Sequence, residues 1–584
     1  MNAWPCTREG NMFRARDPQV SLWQSEFLVT PKKARLLQRS WAQVFRNQAL
    51  PLIDEERFAP MYHPDNGRPN RAVQTVLGVH ILKEMFNLTD QEALEQLEFN
   101  LLWHHALRLD MDETHLPQKT LHNFRVRLMQ HDGGRVAFQE TTDRIIEALG
   151  LRTGKQRLDS THIISNIALL TRLGLFCETI RLFLGAVKRE HPKLGEGVAQ
   201  GLAQRYLKED GEATSYEDVR SGEGRRRLAV CARDLYRLVD RFRGTAAAEM
   251  EEYQLLERLL GEQCHVGKHG DGRPEVNDDD ASEGKVPIAL KGPKEVRSDS
   301  LQSPHDPDVT YSGHKGKGYE VQVAETCDEE NATQMITHVE VTPSSGSDSE
   351  VTVPVIDALG ERGIGPKELW GDTSYGSGRN AVEAERRGTE LVSPVGGGTP
   401  KAAEKGEEPV RLAAADFEID VTANRRTVCP AGHQAVAEYE DEDAPDRVEI
   451  HFARQVCEPC ALRTRCPVRW RRHPELAGDW SMNGAYVLST DLVRVNIERR
   501  RRAEANGEWR KRYAVRAGIE GTNSELKRRH GLGHLRVRGG DRVQLAVYLK
   551  ALACNVKRMI YVRLAEKAQT VLQEAALVGA PVAA

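Results

Sequence analysis

Three acidic residues stand where a chain could gather them at one edge of a sheet. Asp159 closes a short strand-like segment beginning at Arg157, Asp372 follows the short strand Glu368 to Trp370, and Glu520 lies on a basic helix near the C-terminal end. Carboxylates brought together without cations repel one another and take up protons, so a cluster of three implies bound metal. Donors that are all oxygen favour Mg²⁺ or Mn²⁺. With 86 Asp and Glu in the chain, any one of these acids taken alone reads as an ordinary surface or structural carboxylate. The surroundings of Glu520 separate it from the rest. Tyr513 lies seven residues before it, Arg516 four before it and Lys527 seven after it. Steps of four and seven return to nearly the same side of a helix. One face is therefore predicted to carry an acid, two cations and a phenol, which suits a phosphodiester held beside metal. A surface helix with ordinary charged pairs is the alternative for this segment alone.

A second group is built on sulfur. Cys457-Glu-Pro-Cys460 has the two-residue spacing of a zinc knuckle, Cys429 and Cys466 could complete four thiolates, and His433 lies close to the first. Structural Zn²⁺ is the expectation, with free buried thiols as the alternative. Cys6, Cys177, Cys231, Cys264, Cys327 and Cys554 are scattered and read as core or surface residues, and His162 as a neighbour of Asp159 rather than a ligand.

The elements that must position these groups follow from periodicity. Residues 1–150 read as helical: apolar positions recur from Arg71 to Phe86, Thr89 and Glu92 form a capping-box pattern, and Pro117 opens a helix from Gln118 to Gln130. That helix buries Leu121, Phe124 and Leu128 and exposes Lys119, Asn123 and Arg125, as a helix-turn-helix recognition element would, or as one charged face of a plain bundle. Ile163 to Lys188 and Arg225 to Leu260 read as long helices of an insertion at about 166–305, and Gly267 to Asp308 as a mobile linker. The period then shortens. Tyr319 to Glu325 and Ile336 to Val341 alternate as strands, and Glu350 to Leu359, Glu368 to Trp370, Asn380 to Arg387 and Glu390 to Val395 read as helix, strand, helix, strand. This is a mixed α/β sheet flanked by helices. The core is expected over 151–400 and 491–565, interrupted by a cysteine-bearing insertion at 401–490 and followed by a tail at 566–584.

The 584 residues carry a formal charge of −4, yet Asp491 to Arg563 holds 19 Lys and Arg against 7 Asp and Glu. Such a basic segment inside a near-neutral chain suits a polyanion, because cations placed on phosphates release condensed counterions. Arg528 and Arg529 are candidates for such contacts. No segment has the length and apolarity of a membrane span, and the first residues lack a secretory apolar core, so a cytoplasmic protein is expected, associated with the nucleoid.

Tyr513, Arg516, Glu520 and Lys527 resemble at all four positions the C-terminal signature of bacterial DDE insertion-sequence transposases. Leu158-Asp159-Ser160-Thr161 and Trp370-Gly371-Asp372-Thr373-Ser374-Tyr375-Gly376 look like that group's two Asp motifs. The resemblance implies a ribonuclease-H-like core in which Asp159, Asp372 and Glu520 hold two Mg²⁺ or Mn²⁺ ions, one on Asp159 and Asp372 and the other on Asp159 and Glu520. It also implies cleavage at terminal inverted repeats, joining to target DNA, and a homodimer or higher homo-oligomer on DNA, with Tyr513, Arg516 and Lys527 contacting the nucleic acid. The helical and cysteine-bearing insertions depart from the minimal core. A nuclease on the same fold that does not join strands, and a domesticated DNA-binding protein, are the alternatives; the latter is expected to have lost a triad acid, and none is lost here.

Overall fold

The computed structural model describes Phe13, Arg16, residues 29–63, 70–110, 112–208, 212, 214–218, 223–267, 286–396, 411–421, 427–472 and 484–578. Its centre is one mixed sheet. Strands β1 (Lys155–Ile163), β2 (Gly316–Thr326), β3 (Ile336–Pro343), β4 (Glu368–Trp370) and β5 (Glu390–Val392) lie in the spatial order β3-β2-β1-β4-β5. The pairs β1–β2 and β2–β3 are antiparallel, and β1, β4 and β5 run parallel. A short segment, Thr310–Ser312, turns back on the start of β2. Helices Thr352–Glu361 and Gly378–Arg386 connect the later strands. This is the ribonuclease-H-like arrangement expected from the sequence.

The register of β1 against β2 sorts its residues by face, because neighbours along a strand point to opposite sides. Leu158 lies opposite Ala324, and both pack under helices Thr352–Glu361 and Gly378–Arg386 in a core with Leu359, Leu369 and Tyr375. Arg157, Asp159 and Thr161 occupy the other face, beneath α1 (Gly518–Arg529). That face belongs to the largest core, which runs without a break from Phe45, Leu77 and Phe138 of the N-terminal helices through Val321 and Val323 to Leu526, Leu552 and Val556 of the C-terminal helices. The N-terminal helices are thus packed on the sheet through α2 (Gly540–Val578). Two further cores lie apart from this one. One lies within residues 173–301, and the other holds Phe417, Ile450, Phe452 and Leu488 around the cysteine-bearing segment.

Several local expectations are met residue by residue. Thr89 and Glu92 form the reciprocal capping box, and helix Gln118–Gln130 buries Leu121, Phe124 and Leu128. Others need correction. β1 runs on to Ile163, so Asp159 lies inside the strand; pairing with β2 as far as Tyr319 keeps the polar run Ser160, Thr161, His162 extended. The following helix starts only at Arg172, where Thr171 caps the amide of Gly174. The span from Arg225 to Leu260 is two helices, Glu223–Phe242 and Glu251–Gln263, separated near Gly244, whose positive φ of 74° breaks the helical path. The expected linker is in part ordered: Ile288–Leu290 pairs with Cys264–Val266, and Ser300, Leu301, Ser303 and Asp306 are buried. Residues 268–285, with Asp278, Asp279 and Asp280, and Cys6 lie outside the described residues.

One buried acid ties these layers together. Glu325 on β2 has a fully buried side chain and accepts from Arg157 Nε at 2.8 Å, Thr522 Oγ1 at 2.6 Å and Arg558 Nη1 at 3.1 Å. Arg157 also donates to the carbonyl of Val515 at 2.7 Å. Removing one partner of a buried charged set leaves the others uncompensated, at a cost of roughly 3–5 kcal/mol. Glu325→Ala is expected to lower unfolding free energy by about that amount in urea denaturation, whereas exposed Lys119→Ala leaves it within about 0.5 kcal/mol; a near-silent Glu325→Ala would show that the network does not hold the helices to the sheet.

Candidate active site

Asp159 faces α1 from the centre of the sheet. One carboxylate oxygen accepts from Arg516 Nη2 at 2.6 Å and the other from Asn523 Nδ2 at 3.0 Å. Burial pushes its pKa above the usual carboxylate value, Arg516 opposes that shift, and the nearby Asp372 adds to it. Asp372 follows β4, which is the parallel neighbour of β1. Its side chain accepts from the Ser374 amide at 2.7 Å, a turn that fixes the carboxylate at the end of the strand. Glu520 is in the first turn of α1, with its side chain 69% exposed, and reaches Arg516 Nη1 at 3.5 Å. A single guanidinium therefore joins the first and third acids of the predicted triad.

Tyr513, Arg516, Glu520 and Lys527 do not ride on one continuous helix as the spacing suggested. Helix Gly507–Tyr513 ends at the tyrosine, Arg516 lies in the 3₁₀ turn Ala514–Ala517, and only Glu520 and Lys527 belong to α1. The tighter turn changes the angular step between them. Tyr513 nevertheless points to the site: its hydroxyl donates to the carbonyl of Gly371, next to Asp372, at 3.1 Å, and its ring stacks on Trp509. Lys527 is half-buried, and burial lowers its pKa against the attraction of Glu320 and Asp159. Glu320 is held by Lys315 at 2.9 Å, and Lys315 also reaches Ser160 at 3.3 Å. Glu320 and Lys315 were missed by sequence reasoning; the strand alternation of Tyr319 to Glu325 places Glu320 on the opposite face from Tyr319, but nothing in it marks Glu320 as the partner of Lys315 or as a neighbour of Lys527. His162 pairs in register with Glu320, and its Nε2 is buried without a partner.

Arg528 and Arg529 are exposed on the last turn of α1. On the N-terminal helix Gln118–Gln130, Lys119 and Asn123 are exposed as well. Arg125 is bound in bidentate fashion to Asp90, at 2.9 and 2.6 Å, so it faces the start of helix Asp90–Phe99.

The cysteine-bearing segment brings Cys429, Cys457, Cys460 and Cys466, with His433, around one cavity of about 20 Å³. Two tight turns present the thiols. The Cys429 amide donates to the carbonyl of His433 and Gly432 closes the turn at φ 82°, while the Cys460 amide donates to the Cys457 carbonyl. Burial, followed by the neighbouring thiols Cys429, Cys466 and Cys460, pushes Cys457 up to about 12. Among the described residues, the group of three potential metal donors lying within 4.8 Å of one another is a different one, Glu525, His530 and Cys554. There Glu525 is already bound by Arg558 at 2.9 Å, and burial drives His530 down to about 4. The triad acids and the four thiols are more widely spaced.

Two family models match the chain: Transposase DDE domain over residues 428–560, and Transposase domain (DUF772) over residues 37–127. The two matches support assigning the chain to the DDE transposases of bacterial insertion sequences. No curated protein and no solved structure matches it. The first match spans the cysteine segment, Glu520 and the basic helices, and the second spans most of the N-terminal helices. Asp159 and Asp372 lie between the two. No helix among the described residues is long and apolar enough to cross a membrane.

The Asp90 pair sets a test for the N-terminal helices. Hydrogen bonds to charged groups are worth about 1.5–3 kcal/mol when part-buried, so Arg125→Ala is expected to lower the denaturation midpoint clearly, and Asn123→Ala to leave it unchanged. Equal midpoints for the two variants would place Arg125 outside the packing of that region.

Proposed function

We propose that the chain cuts DNA at the ends of an insertion sequence and joins the freed 3′-hydroxyls to a target, using Asp159, Asp372 and Glu520 as its catalytic carboxylates. The observation that carries this reading is the convergence of Arg516, Asn523 and the field of Asp372 on the half-hidden carboxylate of Asp159. An acid that burial and a second acid both push toward protonation, beside a third that shares its one guanidinium, fits hard divalent cations. Asp159 and Asp372 would hold one Mg²⁺ or Mn²⁺ ion, and Asp159 and Glu520 another. Such ions, when bound, sharpen an attacking oxygen and stabilise a leaving one in phosphoryl transfer.

The chain's own groups supply position. Asn523 orients Asp159, and Tyr513 steadies the backbone at Gly371 from which Asp372 projects. Arg516 neutralises the acids in the free protein and is placed to turn to a phosphate when metal takes over that charge. Lys527 lies on the same side as a second phosphate contact, and Arg528 and Arg529 grip the backbone. Lys119 and Asn123 read base edges at the element's ends, while Arg125 reaches DNA only by leaving Asp90. Partners on this reading are the terminal repeats, target DNA and a second copy of the chain. The four thiols of Cys429, Cys457, Cys460 and Cys466 hold a structural Zn²⁺, which their mutual repulsion as thiolates would require.

Asp159→Asn, Asp372→Asn and Glu520→Gln, which keep shape and delete charge, are expected to abolish cleavage and strand joining while sparing DNA binding. The check is a strand-transfer assay with a 3′-hydroxyl end and a plasmid target. Hydrolysis without any joined product in the unaltered protein would favour the nuclease reading, and near-normal cleavage by a variant removes that acid from the set. Metal analysis of freshly purified protein is expected to find about one zinc per chain, lost in Cys460→Ser with a fall in thermal stability ahead of any change in chemistry. Zinc-free, fully stable protein counts against that site.

A further inference from the structure

A cavity of about 500 Å³ opens where the helical insertion meets the hairpin that leads into β2. It is within the range of small-ligand pockets. Among the described residues its wall holds Arg172, Arg297 and Lys317 and no carboxylate, with Leu175 and Leu301 among its apolar surfaces and Tyr311 at its side. Arg297 is neutralised by Asp299 at 2.6 Å. Among the described residues, no carboxylate pairs with the other two cations. Arg172 donates to the side-chain and backbone oxygens of Gln263 at 2.8 and 3.1 Å, and Lys317 to the carbonyls of Leu170 at 2.8 Å and Gln302 at 3.5 Å. Burial lowers the pKa of both. Two half-buried cations supported by neutral oxygens alone leave a positive charge in a partly apolar hollow, and an anion is what compensates it.

The hairpin adds a second feature. Tyr311 is the direct register partner of Lys317, so their side chains leave the same face of the ribbon side by side. Tyr311 is 42% exposed. A flat aromatic next to an ammonium group, above an apolar floor, offers a base a stacking surface and its phosphate a counter-charge. Lys317 lies six residues along β2 from Val323, the partner of Asp159. At roughly 3.3 Å per residue this is about 20 Å, or about six base steps of duplex at ~3.4 Å per step.

We propose that this cavity receives one unstacked nucleotide of the DNA bound at the active site, its phosphate on Arg172 and Lys317 and its base against Tyr311. The inference rests on the DNA-cutting reading above and adds a position at which a strand leaves the duplex. The helical insertion then has a task of its own: with the core hairpin it closes a pocket that neither makes alone.

The test uses the full-length protein, a short single-stranded oligothymidylate carrying one 5-iodouracil, and a blunt duplex of the same length. Photo-crosslinking of the unaltered chain, read by peptide mass spectrometry, is expected to mark Tyr311 or its neighbours in the pocket. Lys317→Gln and Arg172→Gln are each expected to weaken binding of the single strand roughly tenfold and to leave duplex affinity unchanged. Tyr311→Ala, at an exposed position that cannot unfold the chain, is expected to remove the crosslink. Adducts confined to other surfaces, or variants that bind the single strand like the parent, overturn the proposal. Free thymidine monophosphate binding as tightly as the oligonucleotide overturns the assignment to DNA. A parent protein that binds neither oligonucleotide nor duplex defeats the transposase reading itself, whereas one that binds and cuts duplex but ignores the single strand defeats the pocket alone.

Discussion

A carboxylate with no exposed surface is tolerable only when every lone pair is answered, and Glu325 answers that requirement by drawing in three parts of the chain that are far apart in sequence. Arg157 comes from β1, Thr522 from α1 and Arg558 from α2. Because Arg157 also binds the carbonyl of Val515, the turn carrying Arg516 is fixed against the strand carrying Asp159. The next inward-facing residue on β1 is Asp159 itself, two positions on. Replacing such a network with packed apolar groups could make the fold no less stable. Its contribution is positional: it sets the height of α1 over the sheet, and with it the distance between the first and third acids.

The active site is built on an unresolved electrostatic demand. Asp159 is buried beside Asp372, and both attract Arg516. Arg516 supplies the positive charge here through a long side chain, while Asp159 is held inside β1, Asp372 just after β4 and Glu520 on α1. Glu520 stays largely exposed at the start of α1, which leaves the acid with the freest side chain on the side open to solvent.

The two insertions obey different rules. The helical insertion has its own apolar core centred on Phe183, Phe242 and Tyr253, so it can be added to the sheet without repacking it, whereas the core around Phe417, Ile450 and Phe452 also takes in Val382, Leu492 and Val495 of helices outside the cysteine-bearing insertion. The N-terminal helices cannot be separated in this way, since Leu77, Phe138, Val323 and Val556 belong to one core. Recognition of DNA ends by those helices would therefore be mechanically continuous with the sheet, whereas the helical insertion meets the catalytic core chiefly around Leu170, Arg172 and the Tyr311–Lys317 hairpin.

Local interactions were legible in the chain because their partners are a few residues apart. The capping box at Thr89 and Glu92, the buried stripe Leu121, Phe124 and Leu128, the strands around Glu325 and Ile336, and the paired turns of the cysteine segment all follow from short periods. The triad acids were legible only through resemblance of the motifs around them, since no spacing links Asp159 to Asp372 across two hundred residues of intervening chain. Tertiary structure decided what no local pattern encodes. It extended β1 past Asp159 because β2 offered eight register partners, and it broke the helix between Tyr513 and Glu520, so that Tyr513 meets Gly371 after β4 and Arg516 meets Asp159 on β1. It also turned Arg125 inward to Asp90, and brought Arg172 and Lys317 to one cavity wall that holds no acid among the described residues. Helical and strand periods are written by backbone hydrogen bonds that close within one element, whereas the fate of a charge depends on which distant group the fold brings within reach.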